Sequence, residues 1–247
     1  MDRWQGKVAV VTGASAGIGA CIVKKLAEAG MRVVGLARRI DKMQQIAAQL
    51  PEGRLIPISC DVCNEEDIVK AFQFVEKELG GLQVLVNNAG VILNEPLLTG
   101  NPENIRKILN VNVVGVAVCT REAVKIMKKN KVNGHIVNMN SMAGHFADSI
   151  QLPLSVYPAS KYALTAMTIG TRHEIAAEKL PIKMTCISPG AVKTDMMGSI
   201  GIPEEVLNNM PILHDKDIAD AVLYAIGTPP NVQVLELLIS PLESITS

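Results

Sequence analysis

The feature that most limits how this chain can fold is an alternation running from end to end: short runs rich in β-branched residues, each followed by a longer segment with helical spacing. The short runs are apolar at nearly every position rather than at every second one, which is how strands covered on both faces read. They lie at Lys7 to Thr12, Arg32 to Ala37, Arg54 to Cys60, Leu82 to Asn87, Gly134 to Asn140, Ile182 to Ser188 and Val232 to Leu238. Helices are predicted between them, at Gly17 to Ala29, Lys42 to Leu50, Glu65 to Leu79, Pro102 to Asn130, Tyr157 to Lys179, Glu204 to Asn209 and Lys216 to Ile226. Repeated βαβ units with right-handed crossovers give an α/β fold, a doubly wound, seven-stranded, mainly parallel sheet with helices on both faces.

A chain of 247 residues with 48% hydrophobic content buries a sizeable core, and without a low-complexity linker it reads as a single domain over residues 1–247. The 24 basic and 24 acidic residues cancel, leaving no net field to recruit nucleic acid or an anionic membrane. No run approaches the ~20 apolar residues of a membrane span, and the N-terminus lacks the pattern of a signal peptide. A soluble, cytoplasmic protein is expected. The five cysteines are odd in number and widely spread, so they suggest no disulfide framework. Cys60 and Cys63 form a CxxC without a second ligand pair, and no metal is expected. From Asp195 to Pro211 the mixture of Met, Gly and Pro breaks the rhythm, which fits a cover over a pocket as well as an ordinary surface loop.

The first strand runs through Thr12-Gly13-Ala14-Ser15-Ala16-Gly17-Ile18-Gly19 directly into a helix. Glycines at 13, 17 and 19 allow a tight turn and close approach of a pyrophosphate to the backbone, while the helix N-terminus offers N–H groups to phosphate. Gly13, Ser15, Gly17, Ile18 and Gly19 are therefore candidate dinucleotide contacts. The same stretch reads as G-x-S-x-G, a nucleophile elbow with Ser15 as nucleophile and one of His135, His145, His173 or His214 as base. The second strand ends in Ala37-Arg38-Arg39, where an NAD site places an acid; forked cationic donors favour the 2′-phosphate of NADP(H) instead. Asp41, slightly further on, reads as a helix N-cap. Asp61-Val62 after strand three suits an adenine edge, and Asn88-Ala89-Gly90 after strand four lies on the same rim of strand ends.

Tyr157 and Lys161 are four apart at the start of a predicted helix and so share a face. A neighbouring ammonium favours the phenolate, drawing the tyrosine toward working pH as an acid or base. Ser141, after strand five, is placed to hold a carbonyl oxygen beside it.

Together these residues carry a resemblance. The glycine turn, Asn87-Asn88-Ala89-Gly90, Ser141, Tyr157-Pro158-Ala159-Ser160-Lys161 and Pro189-Gly190-Ala191-Val192-Lys193-Thr194 stand in the order and at the spacing of the short-chain dehydrogenases/reductases, whose fold is of Rossmann type. The resemblance implies that Tyr157 is the acid/base, that Ser141 orients substrate, and that Lys161 binds ribose while tuning the tyrosine. It implies further that Asn112 supports a proton-relay water and that Pro189, Gly190, Val192 and Thr194 contact the nicotinamide end of NADP(H). A homodimer or homotetramer, packed through the long helices after strands four and five, is also implied. Within the family, Asn140 to His145 and Leu152 to Tyr157 are similar to the insect farnesol dehydrogenase-like group and its vertebrate ketosteroid-reducing relatives. Two departures stand out: a longer interval from Ser141 to Tyr157 than is usual in the family, and Ala16 where many NADP-preferring members carry a basic residue.

Candidate pocket walls at Val91 to Thr99, Met142 to Val156 and Met196 to Met210 are rich in Leu, Met and Ile, which suits a small lipophilic alcohol or carbonyl substrate such as farnesol or a steroid. Two rivals remain beside this alcohol–carbonyl oxidoreductase. One is the Ser15 hydrolase; the other is a non-catalytic dinucleotide-binding regulator, which has no need of Tyr157 with Lys161.

Overall fold

The computed structural model describes residues 1–150, 152–198, 200, 205 and 209–242. Seven strands, β1 (Val8–Thr12), β2 (Arg32–Ala37), β3 (Leu55–Ser59), β4 (Val84–Asn87), β5 (Gly134–Met139), β6 (Ile182–Pro189) and β7 (Glu236–Ile239), form one sheet in the order β3-β2-β1-β4-β5-β6-β7. Every neighbouring pair is parallel. The chain builds outward from β1 to β3 and then restarts on the other side with β4. The carboxyl ends of β1 and β4 thus diverge at the switch point where open α/β sheets hold their ligands.

The helices are α1 (Gly17–Glu28), α2 (Ile40–Ala47), α3 (Glu65–Leu79), α4 (Pro102–Leu109), α5 (Gly115–Lys129), α6 (Val156–Ala177), α7 (Asp195–Gly198) and α8 (Asp215–Gly227). Because successive strand side chains point to opposite faces, β1 feeds two cores. Ala9 and Val11 pack with Ile22 and Leu26 of α1 and Ile218 and Val222 of α8. Val8 and Val10 pack with Ile68 and Phe72 of α3 and Ala123 and Met127 of α5. All five β1 residues are buried, which is why the strand reads as an unbroken apolar run. Each large side chain buried in this way contributes about 1.5–3 kcal/mol, so the two cores hold the strand ends rigidly in register.

The structure departs from the expected elements in three places. The helix predicted from Pro102 to Asn130 is interrupted by a π turn over Asn110–Val114, a one-residue widening that apolar spacing does not register. At its end a Cβ on Gly115 would stand 2.7 Å from the Val62 carbonyl oxygen, so this helix approaches the loop after β3 closely. Strand β7 begins at Glu236 rather than Val232, because the preceding loop turns its carbonyls elsewhere. Lys183 Nζ donates to the carbonyls of Thr228, Pro229 and Val232 at 3.2, 3.1 and 2.8 Å. Asp41 is not an N-cap: α2 starts at Ile40 and Asp41 lies in its first turn, where its charge suits the helix dipole. The helix expected from Glu204 to Asn209 falls largely outside the described residues, of which Glu205 and Asn209 are helical; the segment from Asp195 opens with α7. Among the described residues no helix is long and apolar enough to cross a membrane. All five cysteines are free, with Cys60 buried and Cys63 exposed.

Candidate active site

A cleft of about 660 Å³ opens over the carboxyl ends of the strands. Gly13, Ser15, Gly17, Ile18, Gly19, Arg38, Arg39, Asp61, Val62, Asn88, Ala89 and Gly90 line one part of it, and Ser141, Tyr157, Lys161, Pro189, Gly190, Val192 and Thr194 another. Residues far apart in sequence meet here because each follows the end of a parallel strand or opens the helix after it.

The glycine turn is shaped by crowding. Gly13 has a φ of 66°, and a Cβ there would stand 2.9 Å from the Ala89 Cα; on Gly19 it would collide with the Gly13 carbonyl oxygen and with Asn88 Nδ2. No larger residue fits either place while the two loops remain stitched together. The stitches are Thr12 Oγ1, which accepts from the amides of Asn88 and Ala89 at 3.0 and 2.9 Å, and Asn88 Nδ2, which donates to the Thr12 carbonyl at 2.9 Å. Helix α1 begins directly after this turn with Ala16 at its N-cap and no side-chain cap, so its first amides are left for a ligand.

At the neighbouring end, Arg39 Nε and Nη2 donate to Ser15 Oγ at 3.4 and 3.3 Å, and Arg38 Nη1 stands 3.9 Å from Asp61 Oδ2. The first contact corrects the nucleophile-elbow reading. Among the described residues the hydrogen bonds to Ser15 Oγ come from a guanidinium, which removes no proton, and none comes from a histidine. His135 lies buried in β5, His145 bonds Glu236, His173 is exposed on α6, and His214 caps α8.

At the opposite end Tyr157 and Lys161 stand one turn apart at the start of α6, the Lys161 ammonium 5.8 Å from the centre of the tyrosine ring. The ammonium donates to the Met139 carbonyl at 2.9 Å. Burial pushes the Lys161 pKa down to about 8. Burial also raises the Tyr157 pKa, and a hydrogen bond with the Ser141 hydroxyl only partly offsets it. Burial thus disfavours the charged form of both groups, a cost that the sequence expectation, in which the lysine draws the phenol down, does not include. Ser141 Oγ is held from behind, accepting from the Ala143 amide at 3.1 Å as the cap of a short 3-10 turn over Met142–Gly144.

Asn112 stands apart from the cleft wall, in the π turn. Its Oδ1 accepts from the Val91 amide at 2.8 Å, and its Nδ2 donates to the Val91 carbonyl at 2.9 Å and to Ser160 Oγ at 3.0 Å. The side chain thus ties the loop after β4 to the helix that carries Tyr157.

Ile92, Leu154 and Ile200 form a small buried apolar cluster with Ile150, Tyr157 and Met197 packed against it. Ile92, Met196 and Met197 also line the cleft. Of the pocket cover expected at 195–211, residues 199, 201–204 and 206–208 lie outside the described residues. Sequence reasoning missed Leu36, Lys107, Val111, Met139 and Asn140, all of which line the cleft. Lys107 and Val111 read only as helix positions, and Leu36 and Met139 only as strand core.

Comparison with known proteins fits this site. The family model for short chain dehydrogenase matches residues 7–205. Farnesol dehydrogenase of Aedes aegypti is 49% identical over 247 residues, covering 98% of each chain. Dehydrogenase/reductase SDR family member 11 of Gallus gallus is 42% identical over 259 residues, covering 100% of each. An alcohol dehydrogenase from the archaeon Thermococcus sibiricus, solved with 5-hydroxy-NADP, superposes with a TM-score of 0.83 at 27% identity, over 96% of this chain and 97% of that one. The chain belongs to the short-chain dehydrogenase family. It is an oxidoreductase with a nucleotide-binding fold of Rossmann type.

Proposed function

We propose that the protein interconverts an alcohol and a carbonyl on a small lipophilic substrate with NADP(H), with Tyr157 as the acid/base. One observation carries the reading. A single cleft has a glycine turn and two arginines at one end and a phenol, a serine hydroxyl and an ammonium at the other, with an apolar cluster beside the phenol.

The residues present fit a dinucleotide. Gly13 and Gly19 let the turn close against Ala89 and Asn88 with its backbone facing the cleft, the opening amides of α1 lie uncapped beside it, and the two guanidinium groups suit a 2′-phosphate. When bound, the nicotinamide supplies or accepts the hydride. The work of the chain is positioning and proton exchange. Ser141 donates to the substrate oxygen and Tyr157 Oη gives or takes its proton, while Lys161 binds ribose and its ammonium charge stabilises the phenolate as it forms. Pro189, Gly190, Val192 and Thr194 border the nicotinamide end, and Asp61 and Val62 the adenine. Asn112 supports the proton path from the π turn, where its amide already holds Val91 and Ser160 in place.

An apolar wall of Ile92, Met196 and Met197, with Leu154 and Ile200 packed against Ile92, supports a lipophilic substrate, with an isoprenoid alcohol such as farnesol or a steroid as first choices. The resemblance also assigns a homodimer or homotetramer through α5 and α6, and a groove between them, where Val124, Met167 and Leu180 lie among Arg121, Lys125, Lys128, Glu174 and Glu178, supports it. We further assign the chain to one cytoplasmic domain.

The coenzyme assignment is tested by measuring kcat/KM with NADPH and NADH against a panel of lipophilic alcohols, aldehydes and ketones. Arg39→Met is expected to raise KM for NADPH by roughly 10–100-fold, the scale of a charge-assisted hydrogen bond, and to leave NADH almost unchanged. Equal efficiency of the wild-type protein with both coenzymes would contradict the NADP(H) reading.

A further inference from the structure

We propose that Lys107 is a coenzyme-binding residue that helps select a dinucleotide carrying a 2′-phosphate; the inference rests on the NADP(H) reading above. Four cationic side chains line the cleft: Arg38, Arg39, Lys107 and Lys161. Three already have partners. Lys161 donates to the Met139 carbonyl, Arg39 to Ser15 Oγ, and Arg38 stands 3.9 Å from the Asp61 carboxylate. Among the described residues Lys107 has no carboxylate within ion-pair distance. Its neighbour Arg106 is held by Glu103 and faces away from the cleft.

The placement of Lys107 gives this charge a direction. Lys107 and Val111 are four apart and both line the cleft, so they present one helical face to it. Cys63 lines the cleft with them, and the charges of Arg38 and Lys107 both reach its thiol, although burial and Asp61 dominate there, so the two cations border the same end. That end is bordered by Asp61 and Val62, where the adenosine half of a dinucleotide would lie.

Electrostatics then decides what the cation is for. A 2′-phosphate adds about −1.5 to −2 charges near neutral pH. Arg38 is partly offset by Asp61, 3.9 Å away in an exposed pair, and Ala16 brings no charge to the glycine turn. Arg39 with a partly offset Arg38 brings less than two full positive charges to such a group. Lys107, on a flexible stem at the surface of α4, supplies the missing positive field without a carboxylate to cancel it. NADH lacks the additional phosphate and gains little from the same cation.

The test compares dissociation constants for NADPH and NADH, read by coenzyme fluorescence, in the wild-type protein and in Lys107→Met and Arg106→Met. Both substitutions change exposed helical positions and keep a good helix former. Lys107→Met is expected to weaken NADPH by about 3–10-fold and NADH by less than about 2-fold, with the gap closing at high salt. Arg106→Met is expected to leave both within about 2-fold. Unchanged NADPH affinity in Lys107→Met, or an equal loss with both coenzymes, overturns the inference while the wild-type affinity still supports the NADP(H) reading. Failure of the wild-type protein to bind NADPH overturns both.

Discussion

Tyr157→Phe is expected to lower kcat by roughly 10²–10⁴, the usual contribution of a positioned acid or base, while the dissociation constant for NADPH changes by no more than about 2-fold. The substitution removes one oxygen from a ring that packs against Ile92, Leu154 and Ile200, so the wall of the pocket survives it. Turnover close to that of the wild-type protein would reject the role of the phenol. The direction of its pKa shift adds a second expectation. Burial holds Tyr157 above its ordinary value, with the Ser141 hydroxyl pulling only partly the other way, so the phenol is protonated throughout the neutral range. In that state it is ready to give a proton, which serves carbonyl reduction. Alcohol oxidation needs the phenolate and should gain rate as pH rises into the alkaline range. An oxidation rate that falls over the same interval would contradict the assignment.

The second large effect concerns stability. His135 is fully buried in β5, with Nε2 2.8 Å from Thr185 Oγ1 and no partner for Nδ1. Burial, reinforced by the charges of Lys183 and Arg3, pushes its pKa down to about 3 from 6.5. The sign follows from proton counting. Between those two values the unfolded chain binds a proton that the folded one refuses, so stability falls as pH drops below about 6.5 and goes on falling towards 3. The full interval corresponds to about 5 kcal/mol, comparable with the net stability of many domains. Urea unfolding from pH 7 to pH 4.5 should show wild-type stability falling more steeply than that of His135→Leu, by about 1.4 kcal/mol per pH unit, one proton's worth. The variant loses the Thr185 bond, which offsets the two curves without changing their relative slope. Parallel curves would show that His135 titrates alike in both states.

Much of this was legible in the sequence because the informative residues sit at strand ends. A fully covered strand must be apolar at every position, so the seven runs stand out. The residues immediately after them, Gly13, Arg38, Asp61, Asn88, Ser141 and Pro189, are carried to one rim by the parallel topology alone. Other features left no comparable trace. The π turn at Asn110–Val114 keeps the apolar spacing of a helix while shifting its phase, and it is this shift that places Asn112 against Val91 and Ser160. The start of β7 was misjudged because Val232 looks like strand, yet its carbonyl is taken by Lys183 from another strand. The electrostatics of Tyr157 and Lys161 was read as a pair in isolation, whereas burial, a property of the whole fold, governs both groups. The apolar wall joins residues from three separate segments, a closeness that spacing along the chain does not record.

The most direct test of the central claim follows a label. NADPH deuterated on the transferring face of the nicotinamide C4 is incubated with the protein and a lipophilic aldehyde or ketone that it turns over, and the alcohol formed is analysed by mass spectrometry and NMR. Deuterium on the carbinol carbon, present with the wild-type protein and lost with Tyr157→Phe, is the predicted result. Consumption of NADPH with no deuterium on that carbon, or the same labelled product at the same rate from Tyr157→Phe, would contradict it.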